Sequence, residues 1–203
     1  LLALAAVAAL CASAGGGFLA ASRGKSRNRD KEPLKDGAPP PAKPDLTKGL
    51  FDALPLALGD VVVADREERW LAGGLLAREG DKVVAVLFFA PEGATLKAVV
   101  AFARPRREVL WLDPARVDSP SEPPASIEID GIPMTRRGRL PVALSRHGQG
   151  VPRLGETGIF AEYEGTADEV AVLVTSEGRA LAWSGRRVAE GDYDRLGSGG
   201  DGS

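Results

Sequence analysis

The stretch "KVVAVLFFA", residues 82–90, decides the fold. From Val83 to Phe89 it is apolar at both parities. A strand built from it must be covered on both faces and belongs in the middle of a sheet. Around it, from Leu58 onward, the chain consists of short apolar or alternating runs punctuated by Gly and Asp, with no helical stripe of about twelve residues or more. These runs predict strands over residues 59–64, 69–77, 82–90, 96–103 and 108–112, then 126–130, 132–137, 140–146, 158–164, 169–175, 179–184 and 187–190. "SIEIDG", residues 126–131, alternates, so one of its faces is expected to be wet. Asp130-Gly131 and Glu177-Gly178 are the hairpin candidates, because glycine accepts the positive φ of a tight turn.

The text runs through two similar halves. Phe89 and Tyr163 lie 74 residues apart, Trp111 and Trp183 lie 72 apart, and each pair brackets an acidic-Gly turn followed by a Val-rich strand. The expected fold is mainly β, with antiparallel strands in two similar halves forming a barrel or a sandwich. One transmembrane helix and a Pro-rich stalk precede them. The expected boundaries are 1–22 for the membrane helix or signal, 23–55 for the stalk, 56–114 for the first half, 115–125 for a Pro/Ser linker, 126–195 for the second half and 196–203 for a flexible tail.

Leu58-Gly59-Asp60, "LFFAPEG" (87–93), "VLWLD" (109–113) and "EYEGTADEVAVLVTSEGRALAWSGRRVAEGD" (162–192) resemble the bacterial domain of unknown function 4178. The resemblance spans roughly residues 56–195. It implies a β-rich bacterial domain, often linked to a membrane, and transfers no catalytic residue.

Residues 1–22 are uncharged and would reach about 33 Å as a helix, enough for a hydrocarbon core of about 30 Å. Arg23, Lys25, Arg27, Arg29 and Lys31 follow at once, and basic flanks stay on the cytoplasmic side. The expectation is a single-pass anchor contacting membrane lipid, with the domain facing the cytoplasm from a bacterial inner membrane. Ala12-Ser13-Ala14 keeps open a cleaved signal and a periplasmic domain. Pro33, Pro39, Pro40, Pro41 and Pro44 favour an extended stalk. Asp45 then caps a short helix carrying Leu46, Leu50, Phe51 and Leu54 on one face, ended by Pro55.

Composition removes several chemistries. Residues 1–44 carry seven Lys or Arg against three Asp or Glu, and the remainder carries 19 against 25. An acidic domain repels phosphate backbones. The basic clusters Arg104, Arg106, Arg107 and Arg136, Arg137, Arg139 have no interleaved aromatics for base stacking, so no nucleic acid is expected. Cys11 is the only cysteine and His147 the only histidine, which leaves a poor ligand set for zinc. Gly24-Lys25-Ser26 ends like a phosphate loop, but the position that must be glycine is Leu19. Ser145 or Ser184 with His147 lacks a nucleophile elbow.

No catalytic, cofactor-binding or metal residue is therefore assigned, and no cofactor is expected. Glu162, Tyr163, Glu164 and Trp183 form the candidate partner surface for another protein or a second copy of the chain. The expected role is a membrane-tethered, non-enzymatic interaction or assembly module. The alternatives are an exported domain, or a carboxylate-based divalent-metal binder or hydrolase using Glu162, Glu164 and Asp192.

Overall fold

Both-parity apolar strands leave a chain one solution, a sheet with a covered inside and a covered outside. The computed structural model describes Gly49, Phe51 and residues 53–118 and 122–197. The expected membrane helix, nearly all of the stalk, and residues 198–203 of the expected tail lie outside these. Among the described residues no helix is long and apolar enough to cross a membrane.

In chain order the strands are β1 (Val61–Ala64), β2 (Glu67–Trp70), β3 (Gly73–Glu79), β4 (Lys82–Glu92), β5 (Thr95–Phe102), β6 (Val109–Ala115), β7 (Ser126–Ile129), β8 (Ile132–Gly148), β9 (Thr157–Glu164), β10 (Glu169–Ser176), β11 (Arg179–Val188) and β12 (Asp194–Leu196). Strands β3 to β6 and β8 to β11 are two antiparallel meanders. They join through β6–β11 and β3–β8 into a closed eight-stranded barrel. β7 extends the sheet along the first residues of β8, and β12-β1-β2 forms a separate small sheet.

Three apolar clusters follow from this closure. Inside the barrel lie Leu75, Leu87, Phe89, Val100, Phe102, Leu110, Val142, Phe160, Val172 and Trp183. Outside the first meander, Leu56, Val62 and Leu71 cover Leu76, Val86, Phe88, Val99 and Trp111. Outside the second, Ile127, Ile129 and Met134 cover Ala161, Tyr163, Ala171 and Leu173. Each large side chain so buried contributes about 1.5–3 kcal/mol, so an uncovered outer face would forfeit several such terms at once. The odd and even residues of "KVVAVLFFA" thus serve two cores, Leu87 and Phe89 within and Val86 and Phe88 without.

The turns follow the sequence. Asp130 and Gly131 have φ of 52° and 80°, and Glu177 and Gly178 have 51° and 73°, the two positive values a two-residue hairpin turn requires. In β7 the wet face carries Ser126 and Glu128. Elsewhere the elements differ from expectation. The run 69–77 is two strands, because the chain leaves the small sheet at Leu71 to enter the barrel. The pairs 132–137 with 140–146, and 179–184 with 187–190, are single long strands. β12 falls across the expected start of the tail and pairs with β1, so the second half lends a strand to the cover of the first. No helix spans the described part of 45–54. Phe51 and Leu54 form a turn, Leu54 N–H donating to Phe51 O at 2.9 Å, and pack on the outer core.

The two halves correspond in strand order, not in side-chain direction. Phe89 and Tyr163 fall on β4 and β9, the second strands of their meanders, and Trp111 and Trp183 on β6 and β11, the fourth. Phe89 and Trp183 point into the barrel, whereas Tyr163 and Trp111 point out. Spacings of 74 and 72 therefore do not align equivalent residues.

A fully buried arginine fastens the small sheet to the barrel. Beyond the pair Ala98↔Leu112, β5 and β6 stop pairing while β6 continues against β11. Arg69 on β2 fills this split, with Nη1 donating to Ala98 O at 2.8 Å and to Leu112 O at 2.6 Å. Its guanidinium also bonds Glu67 and Asp113, each at 3.1 Å, and lies 4.2 Å from the centre of the Trp111 ring. Trp111 Nε1 and Lys97 Nζ donate to Glu67 at 2.7 and 2.6 Å. Burial works to raise the Glu67 carboxyl, but the bonds from Lys97 and Trp111 and the Arg69 charge outweigh it and hold its pKa at about 2, against an ordinary 4.5.

Two predictions follow from closure and clamp. Gly73 pairs with Gly148 where β3 meets β8, and a Cβ on Gly73 would collide with the Gln149 carbonyl oxygen. Gly73→Ala is expected to destabilise by about 1–3 kcal/mol in urea unfolding. Gly138→Ala, whose Cβ meets open space, should change stability by less than about 0.5 kcal/mol. For Glu67 the folded pKa lies below the unfolded one, so its contribution is complete above about pH 4.5 and is lost as pH falls toward 2. Glu67→Gln should therefore unfold at a lower temperature than the parent at about pH 7, with the gap closing as pH approaches about 2. A gap of the same size at both pH values would contradict the ionic role.

Candidate functional site

One mouth of the barrel is polar, and this polarity arises where inward-pointing stripes change character. On β9 the inward residues run Phe160, Glu162, Glu164, and on β11 Trp183, Gly185, Arg187. Toward β6 the sequence Leu112, Leu110, Glu108 does the same. A bulge between Arg136 and Gly138 bends β8 at this rim, a usual place for one in a barrel. The loop from β5 to β6, which begins with a cis Arg104–Pro105 bond, hangs over the opening and lowers Arg106 into it.

Arg106 and Glu162 close the mouth with two parallel hydrogen bonds, Nη1 to Oε2 at 2.8 Å and Nη2 to Oε1 at 2.9 Å. Such a fork is the stronger form of a guanidinium–carboxylate pair. Arg106 Nε donates to Glu108 at 2.9 Å, and its guanidinium lies 3.5 Å from the centre of the Phe102 ring. Arg187 stands 3.6 Å from Glu162 and bonds Glu164 at 2.7 Å, while Arg137 bonds Glu164 at 2.7 Å from the rim.

Burial opposes the charge on Arg106, but the bonds and charges of Glu162 and Glu108 outweigh it and raise its pKa. For Glu108 burial acts upward, and its backbone hydrogen bond and Arg106 overcome it, leaving the carboxyl below its usual range. Glu164 is also lowered, first by the hydrogen bond from Arg187. Arg106, Glu108 and Glu164 are thus each shifted toward the charged form.

Two spaces meet at the Arg106–Glu162 pair. Outside it is a vestibule of about 430 Å³ lined by Arg106, Glu108, Arg137, Gly138, Glu162 and Arg187. Inside is an apolar hollow of about 190 Å³ in which Val84, Ala85, Phe102, Leu140 and Phe160 face Arg106 and Glu162.

The four residues of the expected partner surface separate into different environments. Glu162 and Glu164 meet at Arg187 in the mouth. Tyr163 is fully buried under the β7–β8 hairpin and donates its hydroxyl to Pro124 O at 2.9 Å. Trp183 is inside the barrel, 5.5 Å from the Phe89 ring, with Nε1 donating to Leu96 O at 3.1 Å. Neither aromatic ring is presented to solvent, because its strand is covered on the face it occupies. The exposed tryptophan is instead Trp70, at 52%.

The carboxylates named for a metal are held by arginines, and Asp192 is exposed away from them. Among the described residues no three His, Cys, Asp or Glu side chains gather as a metal would need. Ser145 Oγ and His147 Nε2 are 3.2 Å apart, two residues along β8 and on one face. Burial and the Arg78 charge lower the His147 pKa, so the ring is neutral at neutral pH. Among the described residues no carboxylate bonds this histidine. Ser184 sits on β11, away from the β3–β8 seam that carries it.

Sequence reasoning missed Arg106, Arg187 and Glu108 as parts of a site. The available signal was parity: residues 108, 110 and 112, and likewise 183, 185 and 187, share a face whose last member is charged. Arg106, Arg137 and Arg139, flagged only as basic clusters, bind Glu162, Glu164 and Glu122.

The described residues thus define an eight-stranded antiparallel barrel with an ion-paired mouth. Comparison of the chain with family models, with curated proteins and with solved structures gives no match. The mouth pair carries its own prediction. A double-mutant cycle with Arg106→Met and Glu162→Gln should return a coupling of about 1–3 kcal/mol in chemical unfolding, and purely additive losses would show that the fork contributes nothing.

Proposed function

We propose that this protein is a membrane-tethered, non-enzymatic interaction module, with residues 1–22 as a single-pass anchor in a bacterial inner membrane and the barrel held in the cytoplasm by the Pro-rich stalk. The basic flank after residue 22 supports the orientation. The resemblance to the domain of unknown function 4178 agrees with a membrane-linked β domain and lends it no catalytic role.

One observation carries the interaction reading. Across the small sheet Leu196, Val61 and Trp70 stand in register on the outward face, and Leu196 and Trp70 are 58% and 52% exposed. The next outward row is Asp194, Val63 and Glu68. An apolar row beside an acidic one, on a sheet whose outer strands β2 and β12 are both edges, fits a protein partner that brings an apolar side chain flanked by basic ones. The mouth charges are paired with one another, which supports contact over turnover.

The test uses the full chain purified from solubilised membranes, crosslinked, against Trp70→Glu/Leu196→Glu. The expected result is a stoichiometric protein partner, or a second copy, on the parent and none on the double variant, with unfolding stability changed by less than about 1 kcal/mol. Retention of the same partner by the variant would overturn this surface, and turnover on a substrate panel would overturn the non-enzymatic reading.

A further inference from the structure

We propose that the barrel mouth is a binding site for a small amphipathic monocarboxylate, whose apolar group enters the hollow behind Arg106 and whose carboxylate takes the place of Glu162 on that arginine. This site uses none of the residues in the outward row of the small sheet.

The hollow has the right size and character. At about 190 Å³ it is larger than the apolar cavities of about 150 Å³ that accept benzene. Val84, Ala85, Phe102, Leu140 and Phe160 supply no hydrogen bond from their side chains, so what enters there is hydrocarbon. Ligand sites of this type occur in the mouths of small barrels, with a few polar groups fixing orientation. Gly138, at the bulge, leaves open space beside the entrance.

The polar requirement follows from what the pair can exchange. Arg106 lies over the Phe102 ring with its fork already occupied by a carboxylate. A ligand carboxylate reproduces those two bonds like for like. The displaced Glu162 keeps Arg187, already 3.6 Å away, and Arg106 keeps Glu108, so no charge is left unpartnered. An amine would have to evict the guanidinium from Phe102 and match its fork with a point charge, a poor substitution. Arg106, Arg137 and Arg187 stand against Glu108, Glu162 and Glu164, an even balance that a monoanion disturbs less than a dianion.

Phenylacetate is the probe, titrated calorimetrically into the full chain, with a dissociation constant expected on the order of 1 mM for a ligand of this size. Glu162→Gln removes the charged competitor and should tighten binding roughly tenfold. Ala85→Leu fills the hollow and should abolish it. On the parent protein, phenylacetamide and phenethylamine keep the ring without the carboxylate and should bind at least about tenfold more weakly, a comparison that holds even if Ala85→Leu fails to fold. N-acetyl-phenylalanine binding as tightly as phenylacetate would assign the carboxylate to a peptide terminus; phenylacetate alone would assign it to a free acid. Absence of saturable binding to both parent and Glu162→Gln, or equal binding of phenethylamine, overturns the proposal.

Discussion

The structure depends on one constraint: most of the barrel's strands are apolar on the side that faces away from the barrel. A closed sheet of eight strands removes its edges, but closure alone would leave Val86, Phe88, Val99 and Trp111 on one half, and Tyr163 and Leu173 on the other, in water. Every element outside the barrel answers this need. The small sheet β12-β1-β2 covers the first meander, and the β7–β8 hairpin covers the second. The two covers differ in kind, since one is built from distant parts of the chain and the other from a local hairpin.

Fastening the first cover requires a polar device, because a small sheet lying across a barrel cannot continue its ladder. Arg69 supplies it by taking two carbonyl oxygens that the splitting of β5 from β6 leaves free. An arginine so buried is stable only when its remaining donors are met, and Glu67 and Asp113 meet them. The mouth repeats the logic at the barrel's end, where Arg106 and Glu162 satisfy each other over an apolar floor. At both places the central contact is a guanidinium on a carboxylate.

Much of this architecture was legible from local pattern. The both-parity run 83–89, the alternation of "SIEIDG" and the turns at Asp130-Gly131 and Glu177-Gly178 each depend on neighbours within a few residues, and each stands in the structure as read. What the sequence hid is non-local. The β3–β8 seam rests on the close approach of Gly73 and Gly148, which nothing near either residue announces. Trp183 and Tyr163 looked alike as aromatic residues within apolar strands, yet one fills the barrel and the other lies beneath a hairpin, a difference fixed by parity and register. The mouth escaped notice because Arg106 is on a loop and Glu162 on a strand 56 residues later, so only the folded barrel brings them together.

The pairing of β12 with β1 orders events at synthesis. β1 meets β2 at once, but its other partner β12 is made only after β11, so one edge of β1 stays unpaired while all the strands of the barrel are being synthesised. During that interval β1 offers an open edge and the apolar skin beneath is thinly guarded, the circumstances in which nascent chains associate wrongly or attract chaperones. The three residues of β12 thus act as a clasp, pairing with that edge and covering it.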